Sequence, residues 1–264
     1  MRTGIAVWNF KEKGLLENVE HFARAGFRAA SHVGGRFVKL DDDALAGLAD
    51  TLHRHELTFT VHHKLPDPGN PEECDAFAPQ MDKIRQFHDE RHPLAGLTFD
   101  TWYDIDQLLP HLRYALEAFR DTDVFVCCED FPLDETQRRL LDGLDETFPN
   151  LGVLIDLGHL NMRVTKENPD QDRADAVRRH LHAVPLTIRE LHVHNNDGLR
   201  DQHQHLLAGT LPVAAAAAVL REIGFDGIST IEFVPEWNDI RGREAYDLAV
   251  TCGRTWEETL GAMS

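Results

Sequence analysis

Apolar and polar positions along this chain follow two periods that take turns. Short runs, continuously apolar or alternating with a period of two, recur at residues 4–8 (GIAVW), 27–32, 57–63 (LTFTVHH) and 96–100. They recur again at 124–129 (VFVCCE), 152–156 (GVLID), 188–194 and 227–232. Runs of this length and type predict strands, and 124–129 has the unbroken apolar character of a strand buried on both faces. Between them the apolar residues return every three or four positions, as on an amphipathic helix. The spacing predicts helices over 15–25, 41–55, 71–91, 104–120, 134–148, 173–183, 212–223 and 241–262. Gly26 is placed to end the first helix, Asp41 to cap the second, and Pro212 to open the seventh. The stretch 157–172 (LGHLNMRVTKENPDQD) reads as a loop.

Eight strands alternating with eight helices, with no break in composition, predict one α/β domain over residues 1–264, a single (β/α)8 TIM barrel. A doubly wound sheet is the alternative, but it would gather ligands at one switch point and not around a ring. Hydrophobic residues make up 42% of the chain, enough for a large core, and no apolar run approaches the length of a membrane span. The opening MRTGIAVWNF lacks the apolar segment of a signal peptide, so a cytoplasmic protein with no membrane partner is expected. Four cysteines without a CxxC spacing are expected as reduced core thiols, with Cys127 and Cys128 on opposite faces of one strand. The net charge of −18 opposes a nucleic-acid partner, which needs a basic face to displace counterions. A small-molecule substrate is therefore expected, and a homo-oligomer is compatible with the composition.

Candidate chemistry concentrates where a barrel carries its active site, at the carboxyl ends of the strands. At the end of the seventh predicted strand and in the loop after it, His192, His194, Asp197, Asp201, His203 and His205 fall within one short stretch. The last residues of the eight strands read Trp8, His32, His62, Asp100, Glu129, Asp156, His194 and Glu232. A lone Glu after an apolar run is as well explained by a helix cap. Glu129, Asp156 and Glu232 together are not, because carboxylates converging on one axis repel unless a cation offsets them. The remaining histidines His53, His55, His88, His92, His111, His180 and His182 lie on predicted helices and are expected at the surface.

In order along the chain, Glu129-Asp130, Asp156-Leu-Gly-His159, His192-Val-His194-Asn-Asn-Asp197, Asp201-Gln-His203 and Ile231-Glu232 resemble the motifs of the xylose-isomerase-like barrel superfamily. That group contains sugar and sugar-phosphate isomerases and epimerases, related lyases, and endonuclease IV. The resemblance covers about residues 57–232. It implies that Glu129, Asp156, His194 and Glu232 bind one divalent metal ion, and that His159 faces the substrate. His62 matches an early His of the endonuclease branch, and Asp201 and His203 match its Asp-x-His pair. With His159 they are the candidates for a second metal. Asp100 stands where that branch has a His. Arg200 matches an Arg that the epimerase branch carries six residues after its ligand His.

Three carboxylates and an imidazole suit Mn2+, Mg2+, Co2+ or Zn2+. Glu129 and Glu232 on either side of such an ion are the expected acid-base pair, with Glu232 the first choice for base. Trp8, His62, Trp102 and Arg200 are the expected substrate-binding residues, joined by Phe131 and Trp237 as rings and by Lys64 and Arg163 as anchors. For each ring, ordinary loop packing explains its position equally well. The expected activity is isomerisation or epimerisation of a sugar or polyol. A lyase or dehydratase using the same site, an endonuclease IV-like hydrolase, and a non-catalytic barrel that stabilises a partner subunit are the alternatives.

Overall fold

The structure is a computed structural model that describes residues 1–91, 94–100, 105–129, 144, 148–167 and 172–261. Eight parallel strands close in chain order into a barrel: β1 Arg2–Ala6, β2 Ala29–Val33, β3 Thr58–Lys64, β4 Leu94–Asp100, β5 Phe125–Glu129, β6 Leu151–Asp156, β7 Ile188–Val193 and β8 Ile228–Ile231. Around them run α1 Leu15–Arg24, the one-turn α2 Gly34–Phe37, α3 Asp42–Arg54, α4 Pro71–Arg91, α5 Ile105–Ala118, α6 Leu157–Glu167, α7 Arg173–His182, α8 Val213–Glu222 and α9 Gly242–Leu260. The (β/α)8 architecture expected from the periodicity is present. The helix expected over 134–148 falls largely outside the described residues. No helix among the described residues is long and apolar enough to cross a membrane.

Residues 168–171 lie outside the described residues, and the loop expected over 157–172 fails over Leu157–Glu167, where α6 replaces it. The strand that precedes it supplies the start signal: Asp156 Oδ1 accepts the His159 backbone N–H at 2.7 Å, as an N-cap does. Leu157, Leu160, Asn161 and Val164 then return at helical spacing and are buried. The last helix begins with an N–H satisfied from afar, since Gly242 donates to Glu12 Oε1 at 2.5 Å.

The register sorts side chains between the two faces of the barrel wall. Residues paired across parallel strands point the same way, and successive residues point opposite ways. Val33 pairs with His62, His62 with Thr98, Thr98 with Cys127, and Glu129 with Leu154. Asp156 pairs with His192, and His192 with Thr230. These form the inner face. Their neighbours Phe59, Val61, Leu97, Phe99, Cys128, Leu191 and Val193 lie on the outer face and are fully buried under the helices. Cys127 and Cys128 are free buried thiols on opposite faces, and burial raises both pKa values. Two histidines depart from expectation. His32 pairs with Val61 and so faces the helices and not the barrel mouth. His88, expected at the surface, is buried at 5% exposure because its position on α4 turns it under the helix layer.

Candidate active site

Two tiers of titratable side chains stack at the carboxyl ends of the strands. In the inner tier, His62 on β3 places Nε2 3.3 Å from Asp100 Oδ1 and 3.4 Å from Glu129 Oε2. His62 Nδ1 meets Thr98 Oγ1 at 2.9 Å, which fixes the ring. Trp8, in the turn after β1, stacks on the same ring with centroids 5.9 Å apart. His192 on β7 lies between carboxylates from three strands. Its Nδ1 is 3.0 Å from Glu232 Oε2, 3.5 Å from Glu129 Oε2 and 3.9 Å from Asp156 Oδ2.

The outer tier gathers around the loop after β7. His159, on the first turn of α6, places Nε2 3.3 Å from Asp201 Oδ2, and His203 Nε2 reaches the same oxygen at 3.2 Å. His194 stacks on His203 at 3.9 Å between centroids and sets Nε2 2.9 Å from Asp156. His159 Nδ1 lies 3.7 Å from Glu129 Oε1, and His203 Nδ1 lies 3.6 Å from Glu232 Oε2. Asp156, Glu129 and Glu232 therefore join the tiers.

The loop that carries Asp201 and His203 is pinned at its base. Asn195 and Gln204 exchange backbone hydrogen bonds at 2.9 and 2.8 Å. Asn161 on α6 donates to Asn196 Oδ1 at 2.8 Å, and Asn196 donates to the Gly158 carbonyl at 2.8 Å. Asn238 donates to the carbonyls of His203 and Val234 at 3.1 and 2.9 Å. Within this frame His203 holds φ +41, a left-handed conformation that costs a β-carbon residue energy and turns its ring toward Glu232.

The charges shift one another strongly. Burial would depress His62, His192 and His203, but facing carboxylates outweigh it. Asp100 and Glu129 raise His62, and Glu232 and Glu129 raise His192 well above the ordinary imidazole value. Glu232 and Asp201 lift His203 to about 10. In return Glu232 and Asp201 fall below the usual carboxylate range although burial opposes this, Glu232 chiefly through His192 and Asp201 through its hydrogen bonds from His159 and His203.

The expected ligands are thus brought close, but their grouping differs from the expected one. His159, His194, Asp201 and His203 have donor atoms close enough to share one ion. So do Asp156, His192 and Glu232, as well as Glu129, Asp156 and His159, and His62, Glu129 and His192. His194 sides with the outer tier through Asp156, and His192 occupies the space among the carboxylates. Of the expected substrate contacts, Trp8 and His62 face the site. Arg200 turns out to solvent and pairs with Asp197 at 3.3 Å. Lys64 is held by Glu73 at 2.8 Å. Trp237 is exposed on the rim with its ring edge-on to His203. Trp102 and Phe131 lie outside the described residues.

His192 stands in the expected His/Asp cluster but outside the expected ligand set, and it is the imidazole that the carboxylates surround. Its signal was present: Glu190 and His192 alternate along β7 and share the inner face, and His194 follows at the same spacing just past the strand.

The model of a family described as the xylose isomerase-like TIM barrel matches residues 19–250 of the chain. An uncharacterized protein of Methanocaldococcus jannaschii is 25% identical over 88% of this chain and 83% of its own length. A solved D-tagatose 3-epimerase-like protein superposes with a TM-score of 0.76 at 19% identity, covering 99% of this chain and 98% of that one. A D-psicose 3-epimerase solved in the presence of D-fructose gives 0.69 at 14% identity, covering 99% and 100%. At such identities the structural likeness speaks for the fold alone.

Proposed function

The chain belongs to the xylose isomerase-like TIM barrel family, and from that premise we propose that it is a divalent-metal-dependent isomerase or epimerase acting on a sugar or polyol. The observation that carries the reading is the approach of two buried carboxylates from different sides of the barrel. Glu129 on β5 and Glu232 after β8 lie 3.5 and 3.0 Å from the same His192 nitrogen, with Asp156 at 3.9 Å. Three carboxylates buried this closely among imidazoles fit a divalent cation, since such a donor set binds one and is electrostatically relieved by it. The ligands proposed for it are Glu129, Asp156, His192 and Glu232, with His192 in the place expected for His194. A weaker second ion would be held by His159, Asp201 and His203.

A bound divalent ion supplies Lewis acidity, polarising a substrate carbonyl and acidifying the neighbouring C–H. The side chains do the rest. Glu232 takes a proton from the carbon beside the carbonyl on one face. Glu129, entering the cycle protonated, delivers its own proton to the opposite face of the enediolate. Delivery to the same carbon inverts its configuration, and delivery to the former carbonyl carbon relocates the carbonyl. His159, oriented by Asp201, holds a substrate oxygen. Trp8, stacked on His62, closes one wall against water. The D-tagatose 3-epimerase-like and D-psicose 3-epimerase structures support a ketose as the substrate class. The net charge of −18 weighs against a nucleic-acid partner.

The test is proton exchange in D2O with a panel of ketoses, aldoses and polyols. The metal-loaded protein should wash deuterium into the carbon beside the carbonyl. Glu232→Gln should slow this at least about a hundredfold, the scale of losing a general base. Metal content is measured on the same samples, so normal exchange in a metal-loaded variant would move the base elsewhere.

A further inference from the structure

At the rim of the barrel mouth a large aromatic side chain stands in solvent on a backbone that is firmly held. Trp237 is 62% exposed, whereas Trp256 is fully buried. It belongs to the one-turn 3-10 helix Pro235–Asn238 that follows β8 and Glu232. Asn238 Nδ2 donates to the carbonyls of Gln202, His203 and Val234 at 3.3, 3.1 and 2.9 Å. The Val234 N–H donates to the His203 carbonyl at 3.1 Å. On the other side Glu236 pairs with Lys11 from the loop after β1. An indole left in water forgoes the stabilisation of burial, and a turn fastened from two loops presents it in one place.

His203 links this ring to the site. Trp237 stands at right angles to the His203 ring with centroids 5.2 Å apart, and His203 Nδ1 lies 3.6 Å from Glu232 Oε2. Trp237 is therefore one side chain further out than the carboxylate that the proposed reaction uses as base. Next to His203, Asp201 spends Oδ2 on both His159 and His203, and among the described residues its Oδ1 accepts no hydrogen bond. Leu199 and Leu207, exposed 77% and 54%, lie on the same loop, so exposed apolar surface gathers on this side of the mouth. Such a patch marks a ligand groove or an interface. Two copies of a chain with net charge −18 repel each other, which disfavours the interface. A sugar ring suits the groove, because its C–H face is apolar and its hydroxyls donate to a carboxylate oxygen.

We propose that Trp237 forms an outer subsite, on which the second ring of a two-ring saccharide stacks while the first ring reaches Glu232. The inference rests on the sugar reading above and narrows it. The substrate class becomes a disaccharide whose reducing end enters the barrel, and not a lone monosaccharide. A monosaccharide held at the carboxylates leaves the indole uncovered, since His203 stands between them.

The experiment is calorimetric titration of the full, Mn2+-loaded chain with two pairs of sugars, D-fructose against lactulose and D-glucose against cellobiose. Each disaccharide carries its monosaccharide at the reducing end. In at least one pair the disaccharide should bind at least about tenfold more tightly, the scale of one aromatic stacking contact. Trp237→Ala should bring the disaccharide down to the affinity of its monosaccharide, and Trp237→Phe should keep part of the gain. No preference for either disaccharide overturns the proposal, and so does a preference that survives Trp237→Ala. An equal loss for both members of a pair overturns it too, because Trp237 would then hold the first ring. Self-association of wild type that Trp237→Ala abolishes, read by sedimentation, would make the ring an interface between copies and overturn it as well. Trp237-dependent disaccharide binding without deuterium exchange in D2O overturns the proposed function alone. Exchange into a monosaccharide with no disaccharide preference overturns the outer subsite alone.

Discussion

On the outer face of the barrel wall, His32 and His63 are each 6% exposed, and His62 on the inner face is 6% exposed as well. Burial therefore acts on all three alike, yet their protonation diverges. Outside, His32 faces the helix layer with Arg36 nearby, and burial assisted by that charge lowers it to about 4. His63 is lowered by burial too. Inside, the same burial is overcome by Asp100 and Glu129 at His62, and by Glu232 and Glu129 at His192. Depth alone does not make a histidine functional. The charges that its strand parity turns it toward decide whether it is a neutral packing group or part of a site.

The largest way to sharpen this contrast is acid. His32 has a folded pKa below its unfolded value, so at neutral pH it is uncharged in both states and costs nothing. As pH falls below about 6.5 the unfolded chain takes up a proton that the folded chain refuses. Stability is then lost through the window from about 6.5 down to about 4, by at most about 3 kcal/mol. His32→Gln should flatten that part of the pH–stability curve, measured by urea unfolding of the metal-loaded protein. A curve as steep in the variant as in wild type would show that His32 is not the source.

Much of this division was legible in the sequence, and the failures have physical causes. The helix 71–91 and the eight strands follow from periodicity, and Glu129, Asp156 and Glu232 from reading strand ends. The same reading put His32 at the mouth, because it assumed that the last residue of a strand faces inward. Val33, one residue on, is the one that pairs with His62. It left His192 out of the ligand set for the converse reason, stopping at His194 without stepping back two residues. Helix α6 was missed because its cap, Asp156, belongs to the preceding strand and its first turn contains Gly158. Long-range hydrogen bonds such as Asn161 to Asn196 leave no local periodicity at all.

Two glycines give the next test, one on each face. A β-carbon on Gly158 would lie 2.0 Å from His194 Cε1, and one on Gly34 would lie 2.1 Å from His63 Cδ2. Either alanine must displace a ring, at about 1–3 kcal/mol for overpacking. The comparison predicts different consequences from equal crowding. Gly34→Ala should lower the melting temperature and leave Mn2+ affinity alone. Gly158→Ala should push His194 off Asp156 and weaken Mn2+ binding by about tenfold, the lower end for disturbing a metal's surroundings. Equal metal affinity in the two variants would break the distinction between the faces.

The smallest effect is expected where the mouth meets solvent. Arg200 matches an anchoring Arg by sequence position, but its side chain is 75% exposed and its guanidinium pairs with Asp197 at 3.3 Å across three residues. An exposed pair of this kind contributes about 0–1 kcal/mol, because water screens it and two side chains must be ordered to form it. Asp197 needs no cation to stay in place, since its Oδ1 already accepts the backbone N–H groups of Leu199 and Arg200 at 2.8 and 2.9 Å. Arg200→Ala should therefore leave thermal stability and Mn2+ affinity within error of wild type. KM for a neutral sugar should change by no more than about threefold, the equivalent of a weak exposed contact. A rise in KM well beyond that, with kcat preserved, would mean that Arg200 swings from Asp197 onto the substrate. The inner face would then extend to the rim of the barrel.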